Sequence, residues 1–140
     1  MFGPHLILEG YKCKNKKALE DKATLIQILN DLPPLMNMNA IMPAHVLYYD
    51  GGDIPLDKGL SGFIIIAESH IAIHTFPEKE FFTLDIFSCK DFEAAAAISY
   101  INKFYMAEHC DHSFFERGRE FPRSMARACE IVSSERNGMI

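Results

Sequence analysis

Hydrophobic runs along the chain predict five short strands before residue 90. Clusters of polar residues, glycine and proline separate these runs and mark the connections between them. The predicted strands cover residues 5–9, 44–49, 61–67, 71–76 and 81–87. Only short connections join the last three, so neighbouring strands are predicted to pair antiparallel.

Apolar residues spaced three and four apart predict two helices. The first covers residues 16–30, and Asp31-Leu-Pro-Pro34 is predicted to end it. The second covers the alanine-rich residues 92–106, with Asp91 as its N-cap. Residues 113–117 form a last short strand. These elements predict an α+β fold, a two-layer sandwich in which an antiparallel sheet carries helices on one face.

Length and composition favour a single domain. The chain has 140 residues, of which 49% are hydrophobic and 24% charged. A weak helical pattern after Pro122 predicts that residues 124–140 are a peripheral tail. The net charge of −5, without a long basic stripe, argues against nucleic acid as a partner. No apolar run approaches the roughly 18 residues of a membrane span, and no signal-peptide pattern opens the chain, so a cytoplasmic protein is expected.

The segment AESHIAIHTFPE, residues 67–78, carries more polar chemistry than a buried strand needs. Ser69 stands between an acid and an imidazole. A serine at a strand junction is commonly a turn residue, and the glycines of a hydrolase nucleophile elbow are missing. His74 shares a strand face with His70, where a structural role is the ordinary interpretation. Cys89, at another strand end, equally suits a small buried residue.

A second polar cluster, His109-Cys-Asp-His112, is the candidate metal site. Two histidines three residues apart can chelate a metal from one face of a helix. A structural zinc site needs four ligands, usually two separated pairs, and no second pair is present. The sequence therefore predicts a solvent-exposed helix end here and no metal.

Taken together, the motifs resemble the short prokaryotic S-adenosylmethionine decarboxylase proenzymes. The pattern E-S-H-x-x-x-H-T-x-P-E at residues 68–78 precedes D-x-F-x-C at residues 85–89, and 20 positions separate Ser69 from Cys89. Residues 5–9, Gly59-Leu-Ser-Gly62 and Arg117-Gly118 also resemble segments of that family. The resemblance covers about residues 3–123.

This resemblance implies a self-cleaving enzyme with a covalent pyruvoyl cofactor. Ser69 would attack the carbonyl of Glu68 and form an ester, whose elimination leaves a pyruvoyl group at position 69. The products would be two chains, residues 1–68 and 69–140. Ser61 and His74 fall on the positions that assist this processing, and Cys89 falls on the position that returns a proton to the substrate.

The resemblance also implies the substrate and the assembly. S-adenosylmethionine would be decarboxylated for polyamine synthesis, leading to spermidine, at a site containing Glu9, Phe76 and Glu78. The family's short enzymes form homodimers whose sites draw on both protomers. A non-catalytic regulatory relative, whose chain would stay uncleaved, is an alternative from another functional class.

One segment departs from the family pattern. Pro55 and Asp57 stand where F-x-P-x-G-x-S-G has an aromatic ring and a proline, so the stacking partner of the adenine would have to be Tyr48 or Tyr49. A carboxylate at Asp57 or Asp53 would instead suit the side-chain cation of L-ornithine or L-arginine. Divergent relatives decarboxylate these amino acids, and either remains an alternative substrate.

Overall fold

The computed structural model describes residues 3–118, and the tail predicted over residues 124–140 lies outside them. The described residues form one antiparallel seven-stranded sheet in the order β2-β4-β5-β6-β1-β7, with β3 also paired to β4. The strands are β1 (Pro4–Cys13), β2 (Asn39–Ala40), β3 (His45–Tyr49), β4 (Gly59–Ala67), β5 (Ser69–Phe76), β6 (Phe81–Ser88) and β7 (Ala107–Glu116). The α-helices are α1 (Lys16–Glu20), α2 (Lys22–Leu35) and α3 (Ala94–Tyr105).

The core lies between one face of the sheet and the helices. Alternate residues of the central strands are fully buried there, among them Leu8, Ile71 and Leu84. Leu25 of α2 and Ile101 of α3 belong to the same buried cluster. This arrangement confirms the predicted α+β sandwich. The other side of the sheet, here called the open face, carries the alternate residues of the same strands. None of the described helices is long and apolar enough to cross a membrane.

The first predicted helix is two helices in the structure. The side chain of Asn15 caps α1 by accepting a hydrogen bond from the backbone N–H of Ala18 at 3.2 Å. Asp21 then adopts an extended conformation, with φ −89° and ψ 109°, and separates α1 from α2. The predicted stop at residues 31–34 is wrong, because Pro33 and Pro34 lie inside the last turn of α2. The carbonyl groups of both prolines still accept backbone hydrogen bonds from the residues that follow.

The second predicted helix is shorter than expected. It begins at Ala94 with Glu93 as N-cap, so the prediction of Asp91 as the cap is wrong. Met106 ends the helix in the left-handed conformation, with φ 53°.

β7 begins at Ala107, and this overturns the predicted helix end at residues 109–112. The strand pairs with β1 along its whole length, with Tyr11 opposite His109 and Leu8 opposite His112. Residues three apart on a strand point to opposite faces, so the two histidines cannot chelate one ion. His109 is bound to Asp111 at 2.8 Å instead. Within residues 3–118, no three metal-ligating side chains come together.

Gly59 fixes the approach of β4 to β5. A Cβ at this position would lie 1.8 Å from the carbonyl oxygen of Thr75, so any larger residue would push the two strands apart. Thr75 secures the same place from the core side: its hydroxyl accepts from the N–H of Leu60 at 3.0 Å and donates to the carbonyl of Leu19 at 2.8 Å. The register of β4 against β5 is therefore held at two neighbouring points.

Candidate active site

The Glu68–Ser69 bond lies at the tip of the β4–β5 hairpin. β5 begins at Ser69, which is opposite Ile66 of β4 and Ser88 of β6. Glu68 forms the turn before it. The strand thus starts at the serine. The bond between Glu68 and Ser69 is held by strands on both sides of the turn.

Two features of Ser69 suit a nucleophile that attacks its own chain. Its Oγ is buried and has no hydrogen-bond partner within the described residues. Its φ is 152°, in a region that residues with a side chain rarely adopt. Such backbone outliers cost about 1–3 kcal/mol and cluster at functional sites. The unpartnered hydroxyl and the strained backbone coincide at the residue that the sequence assigns to cleavage.

Cys89 lies directly against this bond. The backbone N–H of Glu68 donates a hydrogen bond to Cys89 Sγ at 3.4 Å. The preceding residue, Ser88, is the strand partner of Ser69. Cys89 is half-buried, so its thiol remains accessible to a small molecule. Glu68, Ser69 and Cys89 together are called the cleavage end below.

Ser61 and His74 form a second group on the open face. They are opposite each other on β4 and β5, and Ser61 Oγ lies 2.8 Å from His74 Nδ1. This hydrogen bond fixes the orientation of the ring and leaves Nε2 for proton transfer. Gly59 lies two residues from Ser61, and Thr75 lies one residue from His74. These two residues hold the register that places Ser61 opposite His74. Ser61 and His74 are called the serine–histidine pair below.

The structure does not bring the cleavage end and the serine–histidine pair together within one chain. Ser69 and His74 are five residues apart on β5. At about 3.4 Å per residue, the strand separates them by about 17 Å. The pair cannot reach the Glu68–Ser69 bond of its own chain without the loss of β5.

The other predicted site residues lie nearer to the serine–histidine pair. Thr83 of β6 is opposite His74, and Glu9 of β1 is opposite Thr83. Glu9 therefore lies two strands away from His74, in the same cross-strand row of the open face. Glu9 accepts a hydrogen bond from the Tyr11 hydroxyl at 2.6 Å, and this bond is the main cause that raises the pKa of Tyr11. Phe76 packs against Phe81, with 5.6 Å between the ring centroids.

The carboxylates of Asp57 and Glu78 are already paired with lysines. Asp57 lies 2.5 Å from Lys79 Nζ. Glu78 lies 3.1 Å from Lys58 and 3.2 Å from Lys16. The hydrogen bond from Lys58, followed by that from Lys16, lowers the pKa of Glu78. A substrate cation at Asp57 would have to displace an existing ion pair.

Comparison with known proteins identifies the family. The family model described as S-adenosylmethionine decarboxylase matches residues 4–118. The chain belongs to the S-adenosylmethionine decarboxylase family. It is 32% identical over 102 residues to the S-adenosylmethionine decarboxylase proenzyme of Clostridium botulinum (strain Loch Maree / Type A3), covering 72% of this chain and 81% of the relative. The proenzyme of Pyrobaculum aerophilum is 35% identical over 100 residues, or 71% of this chain and 74% of that relative.

A solved structure shows the same family fold. The adenosylmethionine decarboxylase from Aquifex aeolicus VF5 is 25% identical to this chain, with a TM-score of 0.72. The likeness covers 88% of this chain and 96% of that chain. The S-adenosylmethionine decarboxylase resemblance seen in the sequence is confirmed, and the chain is a decarboxylase of this family.

Two residues near the candidate site do not stand out in the sequence. The motif around His74 does not show that the buried hydroxyl of Thr75 joins β4, β5 and α1. The sequence also does not distinguish Tyr49 from Tyr48. In the structure Tyr49 is opposite Gly59, whereas Tyr48 is opposite the buried Leu60. The alternation of β3 was the available signal, because Tyr49 and His45 share a face with Leu47, whereas Tyr48 shares the face of the buried Val46.

Proposed function

We propose that the chain is a self-cleaving, pyruvoyl-dependent decarboxylase of S-adenosylmethionine that supplies decarboxylated S-adenosylmethionine for polyamine synthesis in the cytoplasm. One observation carries the proposal: a buried, unpartnered Ser69 hydroxyl stands at a hairpin tip, and Cys89 Sγ is 3.4 Å from the backbone nitrogen of Glu68. The names of the relatives support the substrate.

Cleavage uses groups that are present on the chain. Ser69 Oγ attacks the carbonyl carbon of Glu68, the C–N bond breaks, and the Glu68 acyl group moves to the oxygen as an ester. A base then removes the α-proton of Ser69, and the Glu68 carboxylate leaves. Tautomerisation and hydrolysis release ammonia, so residue 69 becomes the pyruvoyl group at the start of the second chain. The backbone strain at Ser69 favours this reaction, since cleavage removes the peptide bond that fixes its φ.

The pyruvoyl carbonyl supplies an electron sink for the decarboxylation of a substrate amine. The residues around it fit that role. Cys89 Sγ contacts the residue before position 69, so its thiol is placed to return a proton to the substrate carbon after carbon dioxide has left. The helices pack on the other side of the sheet, so we place the substrate at the open-face side of the hairpin tip.

The separation of about 17 Å between Ser69 and His74 supports a homodimer with shared sites. A serine–histidine pair that cannot reach its own Ser69 can serve that of a second chain whose open face stacks on the first. The open face has the apolar surface that such stacking needs. Leu47, Tyr49 and Phe63 are 60%, 53% and 38% exposed on it. In this arrangement each site combines one chain's cleavage end with the other chain's serine–histidine pair.

Complementation between two inactive variants tests the shared site. Ser69→Ala and His74→Ala should each remain uncleaved when expressed alone. When they are co-expressed with distinguishable tags, the His74→Ala chain should be cleaved and the Ser69→Ala chain should not. In a random mixture of two-fold dimers about half of the His74→Ala chains should be cut. Denaturing mass spectrometry measures both chains, and sedimentation confirms the dimers.

The control is each variant co-expressed with itself. Full cleavage of His74→Ala alone would remove His74 from processing. Mixed dimers that stay uncut would contradict the shared site, and a monomer with full activity would contradict the dimer.

The aromatic residues of the open face favour S-adenosylmethionine over a basic amino acid. Tyr49 is opposite Gly59 on β4, and the β4–β5 register puts Phe76 on the other side of Gly59. Two strand spacings, about 10 Å, separate their backbones, and the residue between them, Gly59, has no side chain of its own. A planar base fits between two such rings, and a sulfonium is attracted to aromatic faces. Asp57, the carboxylate for a basic amino acid, is occupied by Lys79.

Substitution of the two rings on either side of Gly59 tests this substrate assignment. Tyr49→Ala and Phe76→Ala should each raise KM for S-adenosylmethionine about tenfold, because stacking of a base on an aromatic ring contributes about 1–3 kcal/mol. Tyr48→Ala is the matched control, since its side chain lies on the opposite face, and should change KM little. Initial rates of carbon dioxide release give these values.

The same assay distinguishes S-adenosylmethionine from the two alternative substrates. Wild-type protein is assayed with S-adenosylmethionine, L-ornithine and L-arginine. If a basic amino acid is the substrate, Asp57→Asn should lower its kcat/KM by about tenfold or more. Turnover of ornithine or arginine with none of S-adenosylmethionine would contradict our proposal.

A further inference from the structure

Phe87 is the centre of a group of basic side chains on the open face. It lies two residues before Cys89, near the end of β6. The guanidinium carbon of Arg117 is 4.0 Å from the centroid of the Phe87 ring. The rings of His5 and His70 lie 5.7 Å and 5.9 Å from the same centroid. Arg117, His5 and His70 around Phe87 are called the Phe87 cluster below.

Gly3 holds Arg117 in place. The N–H of Arg117 donates to the carbonyl of Gly3 at 2.7 Å. A Cβ on Gly3 would lie 2.3 Å from the carbonyl oxygen of Arg117 and 3.2 Å from Phe87, and the φ of Gly3 is +77°. Only glycine fits this position. The side chain of Arg117 can therefore reach across β1 to the strand that ends beside Cys89.

The cluster has unused capacity to bind an anion. Within residues 3–118, Arg117 makes no ion pair with a carboxylate, and Nε2 of His5 is buried without a hydrogen-bond partner. Burial, followed by the charge of Arg117, lowers the pKa of His5, while Asp85 acts in the opposite direction. Asp85 lies two residues from Phe87 on the same face of β6, but within residues 3–118 it forms no ion pair with Arg117.

We infer that the Phe87 cluster binds the α-carboxylate of the substrate, with Arg117 as the principal contact. The inference rests on the proposed function. The α-carboxylate is the group that the substrate loses, so it must lie close to residue 69 and Cys89 during the reaction. The guanidinium stands over the ring of Phe87, two residues from Cys89, and is held there by the backbone bond to Gly3.

The charge of the carboxylate determines which kinetic constant the contact affects. When the bond between Cα and the carboxylate carbon breaks, the negative charge moves off the carboxylate. A cation at this position therefore stabilises the bound substrate more than the transition state. Its loss should raise KM and leave kcat equal or higher. The product has no carboxylate, so its binding should not depend on Arg117.

The test compares substrate and product binding in fully cleaved Arg117 variants. Arg117→Gln should raise KM for S-adenosylmethionine about five- to tenfold, a change that corresponds to roughly 1 kcal/mol or slightly more. The inhibition constant of decarboxylated S-adenosylmethionine should stay unchanged. Arg117→Lys should retain most of the substrate affinity. Lys103→Gln, an exposed cation on α3, is the matched control and should behave as wild type.

The outcomes separate this inference from the function on which it rests. If wild-type protein does not decarboxylate S-adenosylmethionine, both are overturned. If wild-type turnover is normal and Arg117→Gln leaves KM unchanged, or weakens substrate and product equally, only the carboxylate contact is overturned. A fall in kcat at constant KM would also overturn it, because a ground-state contact cannot produce that result.

Discussion

Ser69→Ala should leave the protein as a single uncleaved chain without decarboxylase activity. The variant lacks the only oxygen that can take over the Glu68 acyl group at this peptide bond, so neither the ester nor the pyruvoyl group can form. Denaturing mass spectrometry should show the intact 140-residue chain, whereas wild type should give residues 1–68 and 69–140. Borohydride should add mass to the wild-type 69–140 chain, because it reduces a ketone at its start.

Ser113→Ala is a suitable control, since Ser113 is an exposed serine on β7 away from the hairpin. It should cleave as wild type does. Cleavage of Ser69→Ala at the same bond would rule out the acyl shift. An intact wild-type chain would favour the alternative of a non-catalytic relative with a regulatory role.

Cys89→Ala should separate cleavage from turnover. Ser69 keeps its hydroxyl in this variant, so the two chains should still form, although more slowly if the contact between Sγ and the Glu68 N–H aids the acyl shift. Decarboxylation should fall by about 100-fold or more, because general acid catalysis typically contributes 10²–10⁴-fold. The rate of carbon dioxide release, normalised to the cleaved fraction, measures the loss.

Cys110→Ala is the matched control for the loss of a thiol. Cys110 is also half-buried, but it lies on β7 opposite Gly10, away from the cleavage end. It should retain wild-type turnover. Wild-type turnover by Cys89→Ala would assign the proton donor to another group.

The strands could be predicted from sequence because their signals are local. Hydrophobic runs located β3 to β6 within a few residues. The motif around Ser69 lies at the hairpin tip, and a spacing of five residues on one strand places Ser69 and His74 on opposite faces. A spacing alone does not show that the two residues are too far apart to act on each other. That conclusion needed an unbroken β5 between them.

The features that sequence did not predict depend on long-range pairing. Residues 109–112 seemed to continue a helix, and pairing with β1, about 100 positions earlier, makes them a strand. Arg117 stands over Phe87, 30 positions away, because β7 ends beside the start of β1. The break at Asp21 and the prolines inside α2 follow from packing against the sheet, which overrides local preference.

The strand order changes how the cleaved protein can unfold and refold. With the proposed cleavage, β2, β3 and β4 belong to one chain, β5 and β6 to the other, β1 to the first again, and β7 to the second. β1 of the first chain pairs only with strands of the second, so neither separated fragment can rebuild the native sheet alone. Refolding of the mature protein would then be a bimolecular reaction that slows on dilution, whereas the precursor folds at a rate independent of concentration. We therefore expect the precursor to fold before its bond is cut, and the cleaved form, once unfolded, to regain its structure only when both chains meet.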